Sequence, residues 1–254
     1  MSKIIAVVRK PGPSFKQAIS ANPRNLPIDI KLACLQHDRY VAALKKIKVA
    51  VISLPSLQKY PDGPFVEDTT VILGHVALAC PNKEKSRQGE GSSIHKKIKK
   101  FMTIEKLPHS ITLDGGDVLT TEKEIFVGIS KRTNRDAVDA IAKFTKKPVI
   151  PVEVLSGLHL KTSVSYLGNN ILVLDPSSID ISPFRRFKWI ENGKPNHYPS
   201  NCLAIGDTVL LSKGPDEVVN KIHQERFKTI RLDISEFEKA DGGLTCMSII
   251  FKKM

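Results

Sequence analysis

The chain alternates short apolar runs with tight turns. Pairs of runs occupy Phe65–Ala79, Leu113–Ile129, His159–Leu174 and Cys202–Leu211, and a further run lies at Gly243–Phe251. Short apolar runs bounded by turn residues read as β-strands. Gly74-His75, Gly168-Asn169-Asn170 and Gly206-Asp207 supply hairpin turns, and Thr121-Glu122-Lys123 a longer connection. Between these units the period becomes helical, over Ile30–Ile47, Lys85–Phe101, Arg135–Phe144 and Pro215–Gln224. In the second of these, Ile94, Ile98 and Phe101 share one face, so Lys96, Lys97, Lys99 and Lys100 fall toward solvent. Units starting at 65, 113, 159, 202 and 243 keep a nearly constant spacing, the mark of a repeat architecture. Ile4–Val8 has no partner before it, and the last run has none after it. Pairing these two closes the repeats into a ring and removes an exposed edge. Asp175–Ser200 breaks the rhythm with Pro176, Pro183, Pro195, Pro199, Arg185-Arg186 and the single tryptophan, Trp189. It reads as a short helix followed by a loop. No low-complexity linker divides the chain, so residues 1–254 are expected to form one domain.

Composition changes the picture little. A 254-residue chain with 41% hydrophobic and 26% charged residues has the make-up of a globular protein with a sizeable core. Ile4–Val8 is too short for a secretory leader, and no apolar run approaches membrane-spanning length. The expected location is the cytoplasm, with no membrane partner. Cys34, Cys80, Cys202 and Cys246 show neither C-x-x-C spacing nor a histidine in ligand spacing. Disulfides, structural zinc and cofactors are therefore not expected. The net charge of +13 invites a polyanion. Few aromatics accompany the lysines, so no base-stacking platform forms and nucleic acid is not the expected partner.

The candidate chemistry sits at strand ends. Cys246 stands where Gly242-Gly243 hands over to an apolar strand, whereas Cys34, Cys80 and Cys202 read as inert buried thiols. Leu113-Asp114-Gly115-Gly116-Asp117 and Phe65-Val66-Glu67-Asp68 share that build and carry carboxylates. Gly157-Leu158-His159-Leu160-Lys161 places a histidine at the start of a strand. A thiol, an imidazole and several acids are the parts of a cysteine hydrolase for a cationic substrate. Each also has a structural reading. Asp62-Gly63-Pro64 is a turn, Asp114, Asp117 and Asp241 suit the capping of glycine turns, and a lone histidine often only satisfies core neighbours. Glu67 fits less easily, because an acid within an apolar run needs a partner. Asp117 stays open between a structural and a substrate-facing role. His37, His75, His95, His109, His197 and His223 have no such setting.

Taken in order, Phe-Val-Glu-Asp, Leu-Asp-Gly-Gly-Asp-Val-Leu, Phe-Val-Gly-Ile-Ser-Lys-Arg-Thr-Asn, Leu-His-Leu-Lys and Asp-Gly-Gly-Leu-Thr-Cys resemble the dimethylarginine dimethylaminohydrolase (dimethylargininase) family of the guanidino-group-modifying superfamily. The resemblance runs from Val7 to the C-terminus. It implies the pentein fold, an α/β propeller of five blades with pseudo-five-fold repeats. It also implies hydrolysis of methylated arginine to citrulline and an alkylamine through a covalent thiouronium on Cys246. His159 is the implied general acid/base and Asp114 the acid that orients it. Asp62, Glu67 and Asp68 are the implied guanidinium contacts, Arg87 and Arg132 the carboxylate contacts. The backbone of Ala240 and Asp241 faces the substrate, and the implied partner is a small arginine derivative. The family's lid corresponds to Lys10-Pro11-Gly12-Pro13-Ser14, which two prolines stiffen. Arginine deiminases, arginine dihydrolases and amidinotransferases of the superfamily use the same set. A non-catalytic, ribosome-binding pentein suits the basic charge but needs no thiol, imidazole and acid at matching positions. The length and plain five-unit build favour the dimethylargininase.

Overall fold

Every unit contains a third strand that the apolar pairs did not reveal. A computed structural model describes residues 3–21, 26–108, 110–192, 200–214 and 216–253. In it β1 (Ile4–Arg9) leads through a 3-10 turn at Pro13–Gln17 to α1 (Ile30–Lys46) and β2 (Ala50–Leu54). The next unit runs β3 (Thr70–Leu73), β4 (Val76–Ala79), α2 (Ser92–Ile98) and β5 (Thr103–Lys106). It is followed by β6 (Val118–Thr120), β7 (Ile125–Ile129), α3 (Asp136–Ala142) and β8 (Val149–Glu153). A one-turn helix, α4 (Leu160–Ser163), opens the unit of β9 (Val164–Gly168), β10 (Ile171–Leu174) and β11 (Lys188–Glu191). The fourth unit holds β12 (Leu203–Ile205), β13 (Thr208–Ser212), α5 (Asp216–Gln224) and β14 (Lys228–Leu232). α6 (Ser235–Glu238) and β15 (Ile249–Lys252) follow.

The sheet orders β3-β4-β5, β6-β7-β8, β9-β10-β11, β12-β13-β14 and β15-β1-β2 are copies of one plan. The first two strands form an antiparallel pair, and the third runs parallel to the second. A parallel neighbour requires a crossover, which is why a helix or helical turn precedes each third strand. In the third unit that role falls to a 3-10 turn at Ser182–Phe184. β11 therefore corrects the reading of Asp175–Ser200 as helix plus loop: Trp189 lies opposite Leu172 in a parallel pair. Basic residues on both sides hid this short strand. Pro195, Pro199, His197, His109 and Pro215 lie outside the described residues. The expected ring closure is present, with Ile4 opposite Lys252 and Val7 opposite Ile249.

Strands β3, β6, β9, β12 and β15 all line one central channel of about 230 Å³. One first strand from each sheet around a common axis is a five-bladed propeller. The helices pack on the outside. α1 turns Ala33, Tyr40, Ala43 and Leu44 inward at helical spacing, and its N-cap Asp29 accepts the N–H groups of Lys31 and Leu32 at 2.8 and 3.2 Å. α2 is shorter than the Lys85–Phe101 reading. Gly89, at φ +99°, separates it from a 3-10 turn at Lys85–Arg87. Its Ile94 and Ile98 are buried and its lysines exposed, as the pattern requires. Among the described residues no helix is long and apolar enough to cross a membrane.

Candidate active site

At one end of the channel, tight turns precede the first strands and carry the polar residues. Glu67 and Asp68 lie in a 3-10 turn at Val66–Thr69, Asp117 in one at Gly115–Asp117, and Cys246 in one at Thr245–Met247. His159 caps α4. These residues thus stand one turn ahead of the strands on which the sequence placed them. Stacking so many turns requires glycine. A Cβ on Gly115 would collide with the carbonyl of Glu67, and one on Gly242 with the ring of Phe65. A Cβ on Gly116 would lie 2.8 Å from both Asp68 Oδ1 and His159 Nδ1. Phe65 is itself wedged edge-on against Phe15 and Phe237, which fixes the floor on which the Gly242 turn rests.

One pocket gathers Cys246, His159, Asp68, Asp62, Arg87 and Arg132, with Ala240 and Asp241 at its lip. Asp114 stands behind the imidazole, its Oδ2 3.0 Å from His159 Nε2. The other ring nitrogen, Nδ1, faces Asp68 Oδ1 at 3.9 Å. Asn82 donates to Asp114 Oδ1 at 2.7 Å and to the Asp68 carbonyl at 2.8 Å, so one side chain braces both acids. Asp117 accepts Ser130 Oγ, Thr133 Oγ1 and the Leu160 N–H at 2.7, 2.6 and 2.9 Å. It holds the backbone that follows His159 and does not line the pocket, which favours the structural side of its open role.

The electrostatics follow from burial among acids. Burial works against an imidazolium at His159, but Asp68, Asp117 and the bonded Asp114 outweigh it and raise its pKa to about 9. Burial also opposes the Asp68 carboxylate, yet His159 and Arg87 hold its pKa at about 2. The Cys246 thiol is pushed well above its ordinary range by burial and then by the charges of Glu67 and Asp68. The site therefore holds a thiol, an imidazolium and a carboxylate side by side. Asp68, Asp114 and His159 offer ligand atoms within 4.8 Å of one another.

Residues 14–187 match the family model described as N,N dimethylarginine dimethylhydrolase, eukaryotic. The chain belongs to that family. It is 28% identical over 250 residues to N(G),N(G)-dimethylarginine dimethylaminohydrolase of Pseudomonas aeruginosa, covering 96% of this chain and 98% of the relative. An uncharacterized protein of Aeropyrum pernix is 34% identical over 85% of this chain and 83% of its own length. A solved structure of the Pseudomonas enzyme, a cysteine-to-serine mutant complexed with citrulline, superposes with a TM-score of 0.92 over 99% of this chain and 100% of that one.

For this dimethylargininase-family chain the geometry revises three expectations. Glu67 does not line the pocket. Its oxygens are taken by Lys161 Nζ at 2.6 Å and Thr245 Oγ1 at 2.7 Å, on the channel side of the turn. Its partner is therefore a lysine that the sequence reading named only as part of a motif. Arg87 spends four of its five N–H groups on Asp68, Glu90 and the Phe65 carbonyl, so it has at most one left for a ligand. Arg132 is the freer fork: its Nη1 is buried without a hydrogen-bond partner, 3.7 Å from Asp114 Oδ2. The strap over the pocket is also displaced along the chain. Ser14 and Phe15 are buried, and it is Ile19 that lines the pocket, its N–H donating to Asp62 at 3.1 Å. The Ala21 N–H donates to Asp241 at 2.5 Å. The sequence carried no sign of Asn82 or Ile19, since an isolated asparagine or isoleucine has no pattern to stand out from.

Proposed function

We propose that this chain hydrolyses N-methylated arginine to citrulline and methylamine or dimethylamine, with Cys246 as nucleophile. The observation that carries the reading is the meeting of Cys246, His159 and Asp68 around one pocket, with Asp114 on the far nitrogen of the imidazole. The citrulline held by the Pseudomonas relative supports the product class.

The reaction follows from the proton positions. A guanidinium carbon is a weak electrophile, so attack needs a thiolate. Burial and the acids keep the Cys246 proton in place until a substrate binds. A guanidinium docked on Asp68 brings a positive charge to the same place and releases that proton. The thiolate adds to the guanidinium carbon. His159, already protonated, gives its proton to the departing amine, leaving a thiouronium on sulfur. The imidazole, now neutral, takes a proton from water, whose oxygen replaces the sulfur and yields citrulline. Asp114 keeps the ring aligned throughout, and Arg132 offers its fork to the carboxylate of the amino acid. The pocket as it stands encloses about 20 Å³, room for roughly one water. Entry of an arginine therefore requires the strap at Ile19 and Ala21 to leave Asp62 and Asp241.

The test is to incubate the protein with arginine, monomethylarginine and both dimethylarginine isomers, and to measure citrulline and the released amine. Turnover of the methylated compounds, abolished with its covalent adduct in Cys246→Ser, is the expected result. Higher kcat/KM on plain arginine would overturn the methylated preference.

A further inference from the structure

We propose that Asn201 is the positioning residue that holds the nucleophile's turn against the histidine's turn, and that this is the fourth unit's contribution to the site. It rests on the reading of Cys246 as nucleophile. Four of the five units carry candidate chemistry in their motifs; the unit that opens at Cys202 carries none. Yet Asn201 occupies the corresponding place, just ahead of β12, and is only 3% exposed.

Every polar contact of its carboxamide goes to residues beside the reacting groups. Oδ1 accepts the Thr245 N–H at 2.9 Å. Nδ2 donates to the Lys161 carbonyl at 2.8 Å and to Thr245 Oγ1 at 3.0 Å. Thr245 Oγ1 donates onward to Glu67 Oε2 at 2.7 Å, and Glu67 Oε1 receives Lys161 Nζ at 2.6 Å. The contacts close into a ring: Asn201, Thr245, Glu67, Lys161 and back to Asn201. Thr245 immediately precedes Cys246, and Lys161 lies two residues beyond His159. The ring therefore ties the thiol's turn to the imidazole's turn through two independent routes, one of them charged.

Gly243 points the same way. A Cβ there would collide with the Asn201 carboxamide, so the side chain lies on the bare Cα of that glycine. The Gly243 N–H in turn sits 3.4 Å from Cys246 Sγ. The carboxamide thus presses on the peptide that faces the sulfur. An asparagine suits the place because one planar group supplies an acceptor and a donor to the thiol's turn and a donor to the histidine's turn. Aspartate keeps the acceptor and loses both donors.

Displacing a reacting group by about 1 Å costs roughly a hundredfold in rate. The experiment compares Asn201→Ala, Asn201→Asp and Thr245→Val with the wild type. It reads kcat, KM, melting temperature and, by acid quench and mass spectrometry, the rate and location of the covalent adduct formed from monomethylarginine. Folded Asn201→Ala is expected to lose about a hundredfold in kcat and in adduct formation, with KM within about threefold. Thr245→Val, which keeps the Thr245 N–H on Asn201 Oδ1, should fall between it and the wild type, whereas Asn201→Asp, whose carboxylate meets the Lys161 carbonyl, should lose at least as much as Asn201→Ala. Turnover within about twofold of wild type in Asn201→Ala overturns the proposal. If that variant does not fold, the same result in both Asn201→Asp and Thr245→Val does so. A KM raised tenfold or more at intact kcat also overturns it, since Asn201 would then bind substrate rather than position the turn. A wild-type adduct on Cys34, Cys80 or Cys202 instead removes the nucleophile assignment itself, and is read before any Asn201 variant.

Discussion

Replacing Asp68 by asparagine is the sharpest probe of the charge arrangement. The carboxamide has nearly the same shape as the carboxylate and keeps an acceptor for the Gly116 N–H, which Asp68 Oδ1 now receives at 3.0 Å. Arg87 loses one ion pair but keeps Glu90 at 2.5 Å. What disappears is a negative charge 3.9 Å from His159 Nδ1. At an effective dielectric constant of about 20, that separation corresponds to about 4 kcal/mol, or about three powers of ten in proton affinity. The imidazolium that persists to about pH 9 should then lose its proton below neutrality. NMR of ¹⁵N-histidine, with His159→Gln to assign the resonance, reads this directly. The pH dependence of Cys246 alkylation should move to lower pH in the same variant, because Asp68 also raises that thiol. At neutral pH the variant would have no acid for the leaving amine, so its kcat should recover only toward acid pH. An Asp68→Asn protein whose His159 remains protonated at pH 8 would refute the electrostatic account.

Three further outcomes are expected. The folded pKa of His159 lies above its ordinary 6.5, so its stabilisation is complete below about pH 6.5 and is lost as pH rises through about 9. Melting temperature should fall over that window by the equivalent of at most about 3 kcal/mol, a fall that His159→Gln should lack. Gly116→Ala puts a methyl 2.8 Å from Asp68 Oδ1 and His159 Nδ1. It should abolish turnover while costing about 1–3 kcal/mol by denaturant melts, and near-normal activity would mean the two groups need not meet. Arg132→Ala should raise KM sharply for methylated arginine but little for agmatine, which lacks the carboxylate. Equal losses on both would make Arg132 structural.

How far the sequence reached depends on whether a residue's partner lies nearby in the chain. Hairpins and the outer helices are local, and Gly74, Gly206 and the pair Asn169-Asn170 mark their turns at positive φ. The third strands were not legible, because Thr103–Lys106 and Lys188–Glu191 are four-residue segments that become strands only beside a neighbour from the same unit. Cys246, His159, Asp114 and Asp68 were legible as motifs and do converge. Glu67 was legible as an acid in want of a partner, but its direction was not. Whether it faces the pocket or the channel is decided by Lys161, 94 positions away. Asn82 and Asn201 fell below notice for the same reason, since their contacts span 14 to 44 positions.

The same distinction explains how a chain of charge +13 suits a cationic ligand. Lysines on exposed faces such as that of α2 act over distances at which about 8–10 Å of salt screening removes most of their field. Around the pocket the balance is reversed. Asp62, Glu67, Asp68, Glu90, Asp114 and Asp117 are all buried, against Arg9, Arg87, Arg132, Lys161 and the His159 imidazolium. Burial raises the pKa of Asp62, Glu67 and Asp117, and it takes Glu90 to about 7 even with Arg87 in contact. Six acids against five basic groups leave the cluster short of positive charge. A guanidinium supplies what is missing. By doing so it lowers the cost of ionising Cys246, whose proton the same acids hold in place. Affinity for the cation and activation of the thiol are then two consequences of one charge imbalance, and a substitution that relieves the imbalance should weaken both together.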